Sequence, residues 1–477
     1  MVMMTLSVEH LMCGNGSRRL LGAMFWLSLA FGAHASPVRA QLTLAGALRR
    51  GDSTAFANRA ARATTELSTA TSLTPLRGIL PAVRLESGFL RTTDPIGAFG
   101  TRLKQREITQ GDFDPARLNY PNGIGNYSAA IVAEQPIFNG ESWLARRAAT
   151  RNVSATRAGA TWTRVSTHAD VIRAYYGAVL AAERVNTLDA AAAAAQAHVR
   201  QAESMVRAGM ATKSDALLAS IRAGDVDAQR AEARNDAGIA RRQLAVLIGL
   251  GAAVQPQLPA TLPAPSLISS TVAADTLDDQ PAARADLDAA RLTVDAARAD
   301  VVRARSTYLP RVIAFARYDW NSPVHLYGGD RNWTVGVLAS WAVFDGASRL
   351  AETQSADARL DLARASADAA ADQARIDVER SLATLRTALI RLDIAQRAVA
   401  QGVEAHRIVS RKYAGGLATI TELLDAAAGE MQTKLALSSA QHAAITAAAD
   451  RRRALGGDPA TLTVLDRASA LADTRPE

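Results

Sequence analysis

The chain has 477 residues, 48% of them hydrophobic and 21% charged, a balance that excludes a disordered or low-complexity polypeptide. Alanine dominates the apolar residues and aromatics are only 5%, which suits long close-packed helices better than a large globular core. The net charge of +8 does not point to nucleic acid, because acids and arginines alternate, as in Arg359-Leu360-Asp361 and Asp377-Val378-Glu379-Arg380, the pattern of a solvated helix face.

At the N-terminus Arg18 and Arg19 precede an apolar run from Leu20 to Ala33, and small-x-small sites follow at Ala33-His34-Ala35 and Val38-Arg39-Ala40. Residues 1–40 therefore read as a secretory signal peptide, cleaved after Ala35 or Ala40. The run is about 14 residues, short of the roughly 20 that a membrane helix needs, and no later segment offers a comparable one. Cys13, the single cysteine, lies before the run. A lipid-anchoring cysteine would follow it, so the mature chain is expected to carry neither lipid anchor nor disulfide.

The remainder is written twice. Leu80-Pro81-Ala82-Val83 is echoed by Leu309-Pro310-Arg311-Val312, Ile137-Phe138-Asn139-Gly140 by Val343-Phe344-Asp345-Gly346, and Gly209-Met210-Ala211-Thr212 by Gly416-Leu417-Ala418-Thr419. Three landmarks in one order mark an internal duplication. The first copy spans 41–250 and the second 283–456. A Pro-rich connector, 251–282, lies between them, and a tail, 457–477, follows.

Each copy opens with a helical lead-in, about 45–74 and 283–306, followed by two strands around a loop. Trp333, Val335, Val337, Ala339, Trp341 and Val343 alternate with Thr334, Gly336, Leu338, Ser340 and Ala342, a period of two with one apolar face. The strands are expected at about 80–91, 127–137, 309–320 and 332–344. The first copy carries extra residues rich in Gly, Pro, Asp and Asn within 94–126, read as a long loop; its counterpart is 321–331. Tyr127, Tyr318, Trp320 and Trp333 sit beside these loops, either as an aromatic belt at a membrane interface or as ordinary strand aromatics.

After each second strand comes a long helix, 141–208 and 347–409, with Asn139 and Asp345 as N-cap candidates. No proline occurs between Pro136 and Pro256. In the second rod Val378, Leu382, Leu385, Leu389, Leu392 and Val399 recur at spacings of three and four, a seam for lengthwise packing. The chain turns at a glycine and returns through shorter helices, 213–249 and 420–456. A return helix stacked on a lead-in helix can match one long rod in length.

An export signal with four amphipathic strands and no apolar helix suggests the outer membrane, where a spanning sheet must close to leave no backbone group unpaired. Four strands cannot close alone, since the smallest such barrels have eight, so protomers must pool them. The doubled helix-strand-strand-helix pattern, the Leu-Pro before each first strand, the Phe-Asn/Asp-Gly after each second and the glycine-threonine-acid turns resemble the TolC family of outer-membrane efflux proteins over nearly all of the mature chain. That resemblance implies a mainly α fold with membrane β-strands. It also implies a homotrimer forming a 12-stranded outer-membrane β-barrel continuous with a long periplasmic α-helical barrel, the connector belonging to a belt around its middle.

The same resemblance implies an exit duct in outer-membrane lipid of a Gram-negative cell. The duct would conduct cargo passively from a periplasmic adaptor and an inner-membrane RND, MFS or ABC transporter. Small-molecule efflux is the expected use, with type I protein secretion as the alternative. A periplasmic coiled-coil scaffold would explain the rods and not the paired strands.

Both turns carry an acid three residues after a threonine, Thr212 to Asp215 and Thr419 to Glu422. Spacing alone reads these as capping boxes. By family resemblance Glu422 and Asp425 line the periplasmic constriction; three apart, they share a helical face, and in a trimer would make two carboxylate rings of cation-attracting character. Asp215 and Tyr413 match the family's gate-locking contacts, whereas its arginine position holds Ala418. The tips, with Arg207, Gly209, Met210, Thr212 and Lys213 in one turn and Gly416, Leu417 and Thr419 in the other, are the expected adaptor-docking surface. No catalytic constellation, cofactor motif or metal-ligand spacing appears: the seven histidines are scattered, and Gly123-Ile124-Gly125 lacks a following helix to cradle phosphate.

Overall fold

The computed structural model describes residues 41–277 and 283–465. The expected signal peptide, the end of the connector and most of the tail lie outside the described residues. In chain order the elements are α1 (Leu44–Thr54), α2 (Phe56–Thr71), β1 (Ala82–Thr92), α3 (Pro95–Lys104), α4 (Pro115–Asn119) and β2 (Ile124–Phe138). Then follow α5 (Gly140–Arg207), α6 (Lys213–Leu247), α7 (Pro265–Leu277), α8 (Ala285–Ser306), β3 (Arg311–Ser322), β4 (Asp330–Ser340), α9 (Ser348–Ala414) and α10 (Ile420–Ala454).

The 68 residues of α5 give a rod of about 102 Å at 1.5 Å per residue. Asn139 caps it by accepting the Ser142 backbone N–H at 3.3 Å. The start of α9 differs from expectation. Ala347, in the left-handed region at φ 70°, holds the cap position, and Asp345 instead receives both the backbone N–H and Nε of Arg349, at 3.2 and 2.8 Å. Gly346 is also left-handed, at φ 67°, so two successive residues turn the chain from strand into rod. The α9 helix runs past the expected end at 409 to Ala414. It passes through Gly402, where an added Cβ would lie 2.8 Å from Thr433 Oγ1 of α10; the glycine permits close approach of the two helices.

Several segments depart from the sequence reading. The first lead-in is two helices, because Ala55 adopts φ −57°, ψ 136°. The break is fixed by tertiary bonds, from Asn58 Nδ2 to Gly51 O at 3.0 Å and from Thr54 Oγ1 to Ile248 O at 2.6 Å. The long loop at 94–126 carries α3 and α4, each opened by an aspartate cap and a proline at the first turn, Asp94-Pro95 and Asp114-Pro115, which is a helix-start signal. The connector contains α7. The β4 strand stops at Ser340, short of 344, as Trp341 Nε1 turns to donate to Tyr308 O at 3.0 Å.

The strands form one antiparallel sheet in the order β1-β2-β3-β4. Its register puts Phe89 opposite Tyr127, Leu85 opposite Ile131, Ile131 opposite Tyr318, Tyr318 opposite Trp333 and Ala316 opposite Val335. Directly opposed residues share a face, so one face is a field of Val, Leu, Ile and aromatic side chains. The other carries an ion-pair ladder: Arg84 with Glu134, and Arg317 with Glu86 at 2.9 Å.

The main core lies midway along the rods. Tyr175, Tyr176 and Ile172 of α5, Leu385 and Leu392 of α9 and Ile445 of α10 are buried together with Leu44 and Leu48 of α1, Leu244 of α6, Ile268 of α7 and Leu462. The connector helix and the short turn Pro459–Thr463 thus pack at one level along the long helices. Among the described residues no helix is long and apolar enough to cross a membrane.

Candidate functional site

The two turns repeat one geometry. Gly209 and Gly416 both adopt φ +73°. The next residue closes back over the helix end, Met210 N to Met205 O at 2.9 Å and Leu417 N to Lys412 O at 2.8 Å. This is the Schellman arrangement, for which a left-handed residue is required. It leaves Met210 and Leu417 as equivalent apolar knobs, 68% and 82% exposed. Arg207 and Lys213 stand exposed beside the first knob.

Both returning helices begin with a complete capping box. Thr212 N–H donates to Asp215 Oδ2 at 2.8 Å and Asp215 N–H to Thr212 Oγ1 at 3.3 Å. Thr419 N–H donates to Glu422 Oε2 at 2.7 Å and Glu422 N–H to Thr419 Oγ1 at 3.3 Å. The Thr419 backbone N–H and hydroxyl hold the Glu422 carboxyl below the usual range, keeping it ionised. Asp425 lies on the same exposed side of α10 and makes no hydrogen bond or ion pair among the described residues. The spacing thus brings one capped and one free carboxylate together at the tip.

Behind the turns Ala202, Met205, Ala219, Tyr413, Ile420, Leu423 and Leu424 form a small core that joins the tips of the two copies. Ala418, standing where the family pattern has arginine, packs against this core. Tyr413 is 4% exposed and its hydroxyl has no hydrogen-bond partner. Burial, and then the charge of Asp215, push that phenol up. Asp215 is thus near Tyr413 without bonding to it, its Oδ2 accepting from the Thr212 backbone N–H instead. The core residues Ile420, Leu423 and Leu424 were not singled out from sequence, although their spacing just after a cap is a hydrophobic-face signal.

At the opposite ends of the rods the sheet carries two levels of aromatics. Beside the loops, Phe89 and Tyr127 lie 4.7 Å apart and Tyr318 and Trp320 4.9 Å apart, ring centre to ring centre. Trp341 and Tyr308 mark the other end. From Trp333 to Trp341 the strand path is about 26 Å.

The chain thus joins a four-stranded sheet with one apolar face to rods that end in capped turns. The outer membrane efflux protein family matches residues 100–250 and 277–457, and the chain belongs to it; members of this family are channels, so the chain is a channel component and not an enzyme. A search of curated proteins returned no match. Among solved structures, the chain is similar to the outer membrane protein VceC of Vibrio cholerae, at 20% identity and TM-score 0.69, covering 87% of this chain and 96% of that one. The CmeC outer membrane channel of Campylobacter jejuni matches at 17% identity and TM-score 0.72, covering 87% and 86%. The open-state MtrE outer membrane channel of Neisseria gonorrhoeae matches at 20% and 0.69, covering 88% and 90%.

Proposed function

We propose that three copies of this chain assemble into an exit duct, twelve strands closing a barrel in the outer membrane and the long helices forming a tunnel into the periplasm. The open sheet carries this reading. Both edge strands, β1 and β4, leave backbone groups unpaired in a single chain, and one face is apolar from Val83 to Phe89 and from Trp333 to Val337. Such a sheet in lipid must find further strands. The aromatic levels suit the two interfaces of an apolar band about 25 Å tall. Export through the Sec pathway without a lipid anchor belongs to the same proposal.

The tips are the proposed meeting point with a periplasmic adaptor, through Met210 and Leu417 with Arg207, Gly209, Thr212, Lys213, Gly416 and Thr419 around them. Glu422 and Asp425 are the proposed constriction, three copies giving two carboxylate rings that favour cations. Asp215 and Tyr413 are the proposed lock, with Ala418 leaving it one charged contact short. Cargo is the small-molecule stream of an RND, MFS or ABC pump, with protein secretion as the alternative.

Membrane fractionation and planar-bilayer recording test the reading together. The expected result is a detergent-requiring, heat-modifiable trimer in the outer membrane with small, cation-preferring conductance. Replacing Glu422 and Asp425 by Gln and Asn should abolish that preference. Recovery in a soluble periplasmic fraction would instead support a scaffold. Unchanged closed-state conductance in the Tyr413→Phe/Asp215→Ala double variant would remove the lock.

A further inference from the structure

His198 of α5 and His406 of α9 face each other about three turns before the tips, with ring centres 5.5 Å apart and planes at 75°. Nε2 of each ring is buried and has no hydrogen-bond partner. On His406 the other nitrogen, Nδ1, lies 2.6 Å from Glu430 Oε2. An ionised carboxylate only accepts, so Nδ1 carries the proton and, in the neutral ring, Nε2 carries the lone pair. Glu430 is itself held by Lys434, whose Nζ donates to Oε1 at 2.6 Å. A carboxylate on the far nitrogen is the device that fixes ring orientation and tautomer in metal-ligating histidines. Both rings line a cavity of about 590 Å³ between α5, α6, α9 and α10, which has room for water beside the pair.

Edge-to-face stacking alone would account for the ring angle. It leaves two buried ring nitrogens without partners, an arrangement that folded proteins avoid. An ion held about 2.0–2.1 Å from each nitrogen at a tetrahedral angle would set the ring centres roughly 5.2 Å apart, close to the spacing observed. We propose that His198 and His406 form a two-imidazole site for a borderline divalent transition-metal ion of the Zn²⁺ class, with Glu430 as positioning residue and water from the cavity completing the coordination. Among the described residues no third His, Cys, Asp or Glu joins them, so the ion is exchangeable, and imidazole ligands favour Zn²⁺, Cu²⁺ or Ni²⁺ over Mg²⁺ or Ca²⁺. Bound there, it ties α5 of the first copy to α9 of the second. The inference does not depend on the channel reading, because its readout is binding and not conduction.

The test uses the full mature chain in detergent, without a polyhistidine tag and stripped with EDTA. Titration with ZnCl₂ should show saturable binding at one ion per protomer and a raised Tm, with no such response to MgCl₂. His198→Gln and His406→Gln should each abolish both effects, and Glu430→Gln should keep the stoichiometry while weakening affinity about 10–100-fold. Absence of saturable binding, or equal binding by the double histidine variant, overturns the site. Should the histidine variants fail to fold, Co²⁺ added to the unaltered protein decides. Visible absorption displaced by Zn²⁺ supports the site, and a spectrum of free aqueous Co²⁺ overturns it.

Discussion

His168 presents both ring nitrogens to carboxylates, Nδ1 to Asp458 Oδ1 at 2.6 Å and Nε2 to Asp52 Oδ1 at 2.7 Å. Neither carboxylate can donate, so the ring is an imidazolium, clasping α1, α5 and the turn after α10. Burial works against that charge, but the hydrogen bonds to Asp458 and Asp52 outweigh it and raise the His168 pKa. Burial likewise opposes ionisation of Asp458, and only the bond from His168, the backbone N–H of Ala460 and the charges of His168 and Arg164 together outweigh it, so its carboxyl is pulled down. A folded-state pKa above the ordinary His value of about 6.5 means that the His168 contribution is complete below that pH and is lost as pH rises through the raised value. The Asp458 contribution is present above the ordinary Asp value of about 3.9 and is lost as acid carries the pH through the depressed one. The clasp is therefore strongest between these limits. His168→Gln should lower stability by about 1–2 kcal/mol at pH 6, discounted because both aspartates are more than a third exposed. Thermal unfolding should show the gap between variant and parent narrowing toward pH 9; a gap constant from pH 6 to 9 would mean that the ring is neutral.

At the scale of the element, the starts of α6 and α10 depend on their capping boxes more than most helices do. Each begins at an exposed turn with only the small tip core behind it. Thr419→Ala removes the acceptor for Glu422 N–H and should cost about 1 kcal/mol, felt locally. Amide exchange at residues 420–425 should quicken about fivefold while the main core at Tyr175 and Ile445 is unchanged. Gly416→Ala should loosen the same turn by about 1–2 kcal/mol, because an alanine there must hold φ +73° in a left-handed conformation. Nothing crowds an added Cβ at that site, so the cost is in the backbone alone and proteolysis at the tip reports it. These local features are the ones a sequence displays. The glycines, the threonine-to-acid spacing and the period-two run at 333–339 need no distant partner to be recognised. The break at Ala55 and the His168 clasp were illegible for the opposite reason: Thr54 bonds to a carbonyl 194 residues away, and His168 to carboxylates 116 and 290 away. At Asp345 the cap spacing was visible, yet Arg349 captured the side chain and Ala347 took the position.

For the whole molecule the proposed barrel turns on which face of the sheet would meet lipid. Thr334 and Val335 are adjacent in β4 and therefore at one depth, yet they point to opposite faces. Thr334 is paired with Arg317 and Val335 with Ala316. A glutamate at 335 would enter the face built from Val83, Leu85, Ile131, Tyr318 and Trp333, whereas one at 334 would stand opposite a guanidinium on the ion-pair ladder. Inward-facing charge is ordinary in such barrels, while charge on the lipid side is destabilising, on the order of 1 kcal/mol for an acid a short way inside the level that Trp333 marks and more toward the midplane. In the proposed trimer the penalty recurs three times around one barrel. Val335→Glu should therefore sharply reduce the fraction of heat-modifiable trimer recovered from outer membranes, and Thr334→Glu should leave it within error of the parent. Equal losses in the two variants would mean that the sheet is not lipid-facing on the apolar side. Equal tolerance would mean that β4 does not span the membrane, and the open edges would then need a protein partner rather than further copies of the same strands.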